Sequence, residues 1–462
     1  MVDEMTTMNY DLAVVGGGAA GLVAGVAAGA VGARTVMIEK EERLGGECSW
    51  TGCVPSKALL HQASLAYRCG SNPEGNIMDK VRETVFKASK ASKARKLLDG
   101  YGVDIYNGTS GFKDNRTLVM DDGTVIKAKR FILCTGSSAL VPDIEGLKAG
   151  YLTNRELWQL PDLPESLIII GGGPIGTEMT QSFHRLGTRV TLLEAQDRLL
   201  LRDDRYLARE LTNMLIGEGI DIRINTMVKK VARDDQGWTV EAGEEKLFSR
   251  HLLIALGRRA NTDGLNLEAA GVEYSDSGVV VNKHLQTTAG NIWAAGDCIG
   301  GPQFSHIAEI EAKAAVRNSL FPLNNQVNYQ GNPWTTFTDP EMAHLGLTED
   351  ECKERGYRYR VYSQEFAGDD RAITEDAAKG RVKIIASPYG KLLGVHILGP
   401  RAGELLNEFI LARRKGLRLH EIGLSVHVYP TLGMAVQRAT DDWFYEIAAK
   451  PLLKSLIRLF KR

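Results

Sequence analysis

Residues 10–40, YDLAVVGGGAAGLVAGVAAGAVGARTVMIEK, decide the fold. An apolar run, Leu12 to Val15, opens into three glycines. A stretch of Ala, Gly and Val follows, and a second apolar run closes on Glu39. The runs read as buried strands and the middle as a helix entered through a glycine turn. That is a βαβ unit, and its two strands lie parallel in one sheet. The glycines at 16, 18 and 21 have G-x-G-x-x-G spacing. Gly16 makes the tight turn, Gly18 lets backbone approach a pyrophosphate, and Gly21 lets helix and strand pack closely. Amides at the helix N-terminus then hold phosphate oxygens. Glu39, 18 residues past Gly21, is placed to accept hydrogen bonds from ribose hydroxyls.

One such motif is weak evidence, but the whole pattern returns at 166–195 as SLIIIGGGPIGTEMTQSFHRLGTRVTLLEA. Here the glycines are Gly171, Gly173 and Gly176, and Glu194 again stands 18 residues past the third. Two matched copies, each between strand and helix, predict two dinucleotide sites. A carboxylate at Glu194 repels a 2′-phosphate and so favours NADH over NADPH, although Arg198 and Arg202 stand nearby. Two dinucleotides on one chain suggest a relay between a nicotinamide and a flavin.

The stretch GGECSWTGCVPSKALL, 45–60, carries two of the six cysteines, Cys48 and Cys53. In a regular helix, Cα atoms five residues apart are roughly 8–9 Å from one another. A disulfide needs about 4.4–6.8 Å. The pair can therefore bond only if the helix is broken between them. Gly52 permits a bend, and Pro55 puts a helix start nearby. A helix N-terminus and Lys57 would lower a thiol pKa. Buried free thiols and half of a zinc site are the competing readings. Zinc needs two more soft ligands, whereas Cys69, Cys134, Cys298 and Cys352 are isolated and no two histidines have H-x-x-x-H spacing. A redox pair is favoured, and no metal site is expected.

Bulk properties agree with a redox enzyme of about three domains in 462 residues. A net charge of −1 gives no field that favours nucleic acid. The N-terminal MVDEMTTMNYDL carries acids rather than the basic start of a signal peptide, and no apolar run reaches the roughly 18 residues of a membrane span. A reducing cytoplasm is expected, where a disulfide is usually catalytic. Lysine-rich 87–98 reads as a solvated helix face. The tail AKPLLKSLIRLFKR reads as a basic amphipathic helix that packs on the dimer or makes weak contact with an anionic membrane surface.

Further strand-to-glycine turns occur at RFILCTGSSALVP (130–142), HLLIALGRRANTDGL (251–265) and GNIWAAGDCIGG (290–301). With FTDPEMAHLGLTE at 337–349, the cysteine run and both glycine motifs, these resemble the pyridine nucleotide–disulfide oxidoreductases. That group includes dihydrolipoamide dehydrogenase, glutathione reductase and mercuric reductase. The resemblance runs from about Tyr10 to about Ala439. It implies an α/β fold with two Rossmann-like domains, the NAD domain inserted in the FAD domain, and a C-terminal α+β dimerisation domain. The expected segments are 1–152 for FAD, 153–275 for NAD(H), 276–333 as a return to the FAD domain, 334–445 for dimerisation and 446–462 as the tail. By resemblance, Cys53 faces the flavin and Cys48 exchanges with substrate. Lys57 and Glu178 pair near flavin and nicotinamide. Asp297 contacts the ribityl chain, and Gly136 and Gly257 form turns at the FAD and the NAD respectively.

One motif departs. Dihydrolipoamide dehydrogenases carry His-Pro-Thr near the C-terminus, with a glutamate four residues after the proline; the histidine is the base and reaches across the dimer. Here the run is SVHVYPTLGMAVQRA, so Tyr429 and Met434 occupy those positions. A base works best with a pKa near the operating pH, and tyrosine's is near 10. Poor activity with dihydrolipoamide is expected, with Tyr429 as a hydrogen-bond donor; His427, two residues earlier, is read either as a substitute base or, the favoured reading, as a packed or solvated histidine. The run at 369–384, DDRAITEDAAKGRVKI, looks more like mercuric reductases, but the tail SLIRLFKR lacks their C-terminal cysteine pair and no N-terminal metal-capture domain is expected. The reading is a homodimeric, NADH-dependent FAD enzyme passing electrons to an unnamed small-molecule or protein acceptor, whether disulfide, metal ion or quinone. Dihydrolipoamide dehydrogenase, mercuric reductase and a nucleotide-bound redox sensor are the alternatives.

Overall fold

A computed structural model describes residues 7–449 and 451, apart from 90, 149, 323 and 330. Thr7–Val15 (β1), Ala19–Ala30 (α1) and Thr35–Glu39 (β2) form the first βαβ unit, with β1 and β2 parallel. Leu12, Ala13 and Val14 are fully buried, as strands covered on both faces require. The sheet continues from β2 to Val103–Asn107 and from β1 to Val125–Leu133, all parallel. The last of these strands is shared along one edge. Its residues 125–127 take antiparallel Thr117–Val119, and its residues 131–133 take parallel Ile292–Ala294. The chain thus leaves this sheet and returns to it some 160 residues later, bringing Asp297 back beside the first glycine turn.

The second repeat builds its own four-stranded parallel sheet, in the order 221–223, 189–193, 166–170, 251–254. The two glycine turns are built alike. Gly16 and Gly171 have φ of +106° and +111°. A Cβ at Gly21 would strike the carbonyl oxygen of Gly16, and one at Gly176 would strike that of Gly171. Side chains at these positions are excluded by backbone, which explains the spacing read from the sequence.

A five-stranded antiparallel sheet, in the order 333–336, 341–346, 392–399, 381–386, 360–365, forms the C-terminal domain with the helices Ala402–Lys415 and Gly433–Ala448. The α/β class expected from the repeats is therefore observed, with an α+β domain at the end. Polar contacts fix this domain to the second repeat. Trp334 Nε1 donates to Asp203 Oδ1 at 2.9 Å, and Lys383 Nζ meets Asp204 at 2.7 Å and Glu349 at 2.6 Å.

Burial pushes the Asp203 carboxyl up from 3.8 to about 7, and neighbouring Asp204 adds to the rise. The folded state therefore binds a proton that the unfolded state has already released, and stability falls as pH rises from about 4 to about 7. Asp203→Asn keeps the acceptor for Trp334 and removes the charge. Its gain in Tm over the parent is expected to grow by a few degrees between about pH 5 and pH 8. A Tm difference equal at both pH values, by differential scanning fluorimetry, rejects this account.

No helix among the described residues is long and apolar enough to cross a membrane. The amphipathic tail expected at 446–462 lies outside the described residues from 450 onward except 451, and in the lysine-rich 87–98 stretch Lys93, Arg95 and Lys96 are exposed, as a solvated helix face requires.

Candidate active site

The two cysteines sit on two helices rather than one. Gly46–Trp50 (α2) ends at Thr51, Gly52 takes φ −124° and ψ −108°, and Cys53–Cys69 (α3) begins at once. The break between Cys48 and Cys53 is the one geometry demanded, and Pro55 lies in the first turn of α3, where its missing N–H costs nothing. Both cysteines are free thiols in this structure, Cys48 half-buried and Cys53 exposed.

Helix α3 packs against Pro174–Arg185, the helix of the second glycine turn. That contact brings Lys57 to Glu178, with Nζ 2.8 Å from Oε2. The other Glu178 oxygen accepts from the Phe337 N–H at 2.8 Å, and Lys57 Nζ lies 4.4 Å from the Phe337 ring centre. A buried carboxylate thus joins the first repeat, the second repeat and the C-terminal domain at one point. Both its oxygens are paired, as a buried charge requires.

One cleft of about 2180 Å³ runs past all of these groups, lined by Gly16, Gly18, Cys48, Cys53, Lys57, Gly136, Gly173, Glu178, Gly257 and Asp297. Its volume exceeds the 300–1,000 Å³ or so of a single small-ligand site and suits two dinucleotides. The protein fits such ligands. The helices α1 and Pro174–Arg185 begin at Gly18 and Gly173, and neither has a side-chain cap, so their amides are open to phosphates. A Cβ at Gly18 would meet nothing nearer than 3.8 Å and one at Gly173 nothing within 4 Å, so both positions open on the cleft. Gly136 and Gly257 have φ of +70° and +116°.

Glu39 and Glu194 are held identically. Oε2 of Glu39 accepts from Gly17 N at 2.6 Å and Oε1 from Glu41 N at 2.9 Å. For Glu194 the donors are Gly172 N at 2.7 Å and Gln196 N at 2.8 Å. Each carboxylate therefore braces its glycine turn and keeps lone pairs for ribose hydroxyls. Arg198 is turned to Asp197 and to the Leu201 carbonyl.

Around the thiols the structure adds groups that sequence reading missed. Ser305, the first residue of the helix Ser305–Leu320, donates to Cys48 Sγ at 3.0 Å and lies 3.9 Å from Cys53 Sγ. Hydrogen bonding from the Cys53 thiol, then from Ser305, with Lys57 assisting, brings the Cys48 thiol down to about 6 against the opposing effect of burial. The same shared hydrogen bond keeps Cys53 protonated. Beside them, Glu47 takes Arg155 Nε at 2.6 Å and Arg258 Nη2 at 2.5 Å. Arg258 donates onward to Ser137 Oγ at 2.7 Å, and Ser137 to Asp297 at 2.5 Å. This chain of bonds ties α2 to the segment expected to meet the flavin. Asp297 is thus hydrogen-bonded in place rather than free. Among the described residues no group of three His, Cys, Asp or Glu side chains could hold a metal.

Tyr429 and His427 are not brought to the thiols within one chain. Tyr429 is 65 % exposed, in a segment where Leu424, Val426 and Val428 are exposed as well. A hydrogen bond to Asp370 pushes its phenol up, which suits a donor and not a base. His427 is packed by two contacts. Its Nδ1 lies 2.9 Å from the Ser425 carbonyl and its Nε2 3.0 Å from Glu408. The contact to Glu408 fastens the 425–429 segment to the helix Ala402–Lys415.

Residues 10–312 match the pyridine nucleotide-disulphide oxidoreductase family, and residues 332–440 match that family's dimerisation domain. The chain is 35% identical over 462 residues to a mercuric reductase of Streptomyces lividans, spanning 95% of this chain and 97% of that one. It is 33% identical over 453 residues to a dihydrolipoyl dehydrogenase of Thermus scotoductus, spanning 94% and 97%. In three dimensions it is similar to the Cu(II) complex of the HOCl-induced flavoprotein disulfide reductase RclA from Escherichia coli. The TM-score is 0.88 at 28% identity, over 95% of this chain and all of that one.

Proposed function

Because the chain belongs to the pyridine nucleotide-disulphide oxidoreductase family, whose members bind FAD and a pyridine nucleotide, we propose that it uses NADH to reduce a small disulfide or a soft metal ion through Cys48 and Cys53. The observation that carries this reading is one cleft lined by both glycine turns and both thiols. When bound, FAD takes a hydride from NADH and hands the electron pair to the disulfide.

The protein's part is as follows. Two electrons cleave the Cys48–Cys53 bond, with Cys53 on the flavin side. Cys48 leaves as a thiolate and attacks the acceptor. If the acceptor is a disulfide, one of its sulfurs departs as a thiolate and a mixed disulfide forms on Cys48. Cys53 then attacks Cys48, releases the second product thiolate and restores the pair. Lys57 and Glu178 would hold charge beside a bound flavin and nicotinamide, and Asp297, which lines the same cleft, would contact the flavin's ribityl chain. Glu194 supports NADH over NADPH, with Arg198 engaged by Asp197 and the Leu201 carbonyl, while Arg202 lines the cleft. The proposal is for a homodimer, supported by the dimerisation domain and the exposed apolar residues around Tyr429, and places it in the cytoplasm.

One relative is named a mercuric reductase, and one solved neighbour is a Cu(II) complex. Metal ions therefore join disulfides as acceptor classes. The test is steady-state NADH oxidation with oxidised glutathione, Hg(II), Cu(II) and quinones, and NAD⁺ reduction with dihydrolipoamide. Fast turnover is expected with a disulfide or a metal ion, with kcat/KM for NADH at least about tenfold above that for NADPH. Turnover near zero with every acceptor overturns the reading and favours a nucleotide-bound sensor.

A further inference from the structure

We propose that the Ser305 hydroxyl is a catalytic hydrogen-bond donor that holds Cys48 as its thiolate during exchange. The proposal rests on the assignment above of Cys48 as the exchanging sulfur.

A serine at the start of a helix ordinarily caps it, its oxygen accepting from a backbone N–H. Ser305 does not. The cap position belongs to Phe304, no side chain caps this helix, and the Ser305 hydroxyl is given to sulfur instead. A hydroxyl has one proton to donate, and the shorter distance directs it to Cys48, at 3.0 Å against 3.9 Å to Cys53. The donor is also rigidly mounted. Ala308, Ala312 and Ala315 of its helix are buried where the helix packs on α1. Glu311, on the same helix and buried, accepts from Gly296 N and from the Tyr329 hydroxyl, both at 2.7 Å. A donor fixed in this way loses little on meeting a developing negative charge.

The charged and titratable groups around Cys48 come from three helices. Cys53 and Lys57 belong to α3. Glu47 belongs to α2, its charge spent on Arg155 and Arg258. His306 follows Ser305, with Nε2 at 2.9 Å from the Pro333 carbonyl. Apart from Cys53, Ser305 is the neutral donor aimed at the sulfur, and the lowered Cys48 thiol agrees with it.

The chemistry that follows is specific. When the Cys48–Cys53 bond opens, the Cys48 sulfur keeps the electron pair of the broken bond, and Ser305 stabilises it without transferring its proton. The thiolate attacks an electrophilic sulfur or a soft metal ion with no base needed. Acceptors that react with a thiolate directly are therefore served. A dithiol donor, which must lose protons to something, is not.

The experiment is peptide-resolved alkylation. Holoenzyme reduced anaerobically is pulsed with iodoacetamide across about pH 5 to pH 9, and Cys48 and Cys53 are quantified by mass spectrometry. In the parent, Cys48 is labelled first, with its midpoint at about 6. In Ser305→Ala the midpoint rises by about one pH unit, so Cys48 labelling at about pH 5 slows roughly tenfold. Ser305→Thr keeps the hydroxyl and stays within about threefold of the parent. If Ser305→Ala labels Cys48 first with an unshifted midpoint, the proposal is overturned and Cys48 remains the exchanging sulfur. If the parent labels Cys53 first, both fall.

Discussion

Replacing Cys53 by serine lowers kcat/KM for every disulfide and metal-ion acceptor by at least about a thousandfold, while FAD stays bound and Tm moves by no more than a degree or so. A thousandfold corresponds to about 4 kcal/mol of lost transition-state stabilisation, which is the loss of a covalent route rather than of a contact. No other sulfur can take over. Cys134, Cys298 and Cys352 are buried, and burial pushes the Cys134 thiol well up, away from reactive thiolate. Cys69 is exposed but closes the far end of α3, about 24 Å along the helix from Cys53. The fold should tolerate the change, because Cys53 is exposed and its side chain fills no core. The check is NADH oxidation with each acceptor, with flavin absorbance and a thermal melt as controls. Activity within about tenfold of the parent would mean that electrons bypass this sulfur. Quinones are the informative exception, since one that draws electrons upstream of the disulfide keeps its activity in this variant.

The parts of this site that local backbone dictates were legible in the sequence. Gly16, Gly21, Gly171 and Gly176 are required by carbonyl oxygens a few residues away or on the next strand, so they recur at fixed spacing. Cys48 and Cys53 stood out because their spacing is incompatible with unbroken helix. The α/β class followed from the same repeats. What remained hidden lies in pairs far apart along the chain. Ser305 meets Cys48 across 257 positions, and nothing in its local sequence announces a thiol partner. Arg258 meets Glu47 across 211 positions, and nothing about GRRAN announces a carboxylate beside the cysteines. Asp203 and Asp204 are adjacent in the chain yet have different partners. Only Asp204 caps the helix that follows, while Asp203 turns to Trp334. The Glu408 partner of His427, on another helix, was hidden for the same reason.

The double substitution Tyr429→His with Met434→Glu is expected to raise kcat/KM for dihydrolipoamide oxidation by about a hundredfold, within the usual range for adding a general base. Oxidising a dithiol requires the removal of its protons. Ser305 stabilises a thiolate already formed but cannot accept a proton from substrate while donating its own. The group expected opposite Cys48 across the dimer is Tyr429, whose phenol the hydrogen bond to Asp370 pushes further up. A histidine there titrates near 6.5 and can accept. The glutamate is needed as well. Met434 is the second residue of the helix Gly433–Ala448, the position that the resemblance assigns to the group orienting the base, and an unoriented imidazole spends little time facing the thiol. Tyr429→His alone therefore gains less than the pair. The pH profile separates a true base from repacking, because the double variant gains a rising limb between about pH 6 and pH 7 that the parent lacks. Rates with oxidised glutathione or a metal ion, which thiolate attack initiates, change by less than about threefold. A parent enzyme that oxidises dihydrolipoamide as fast as the double variant would show that proton removal does not limit this chain, and Tyr429 would lose its place as the determinant of which way the enzyme works.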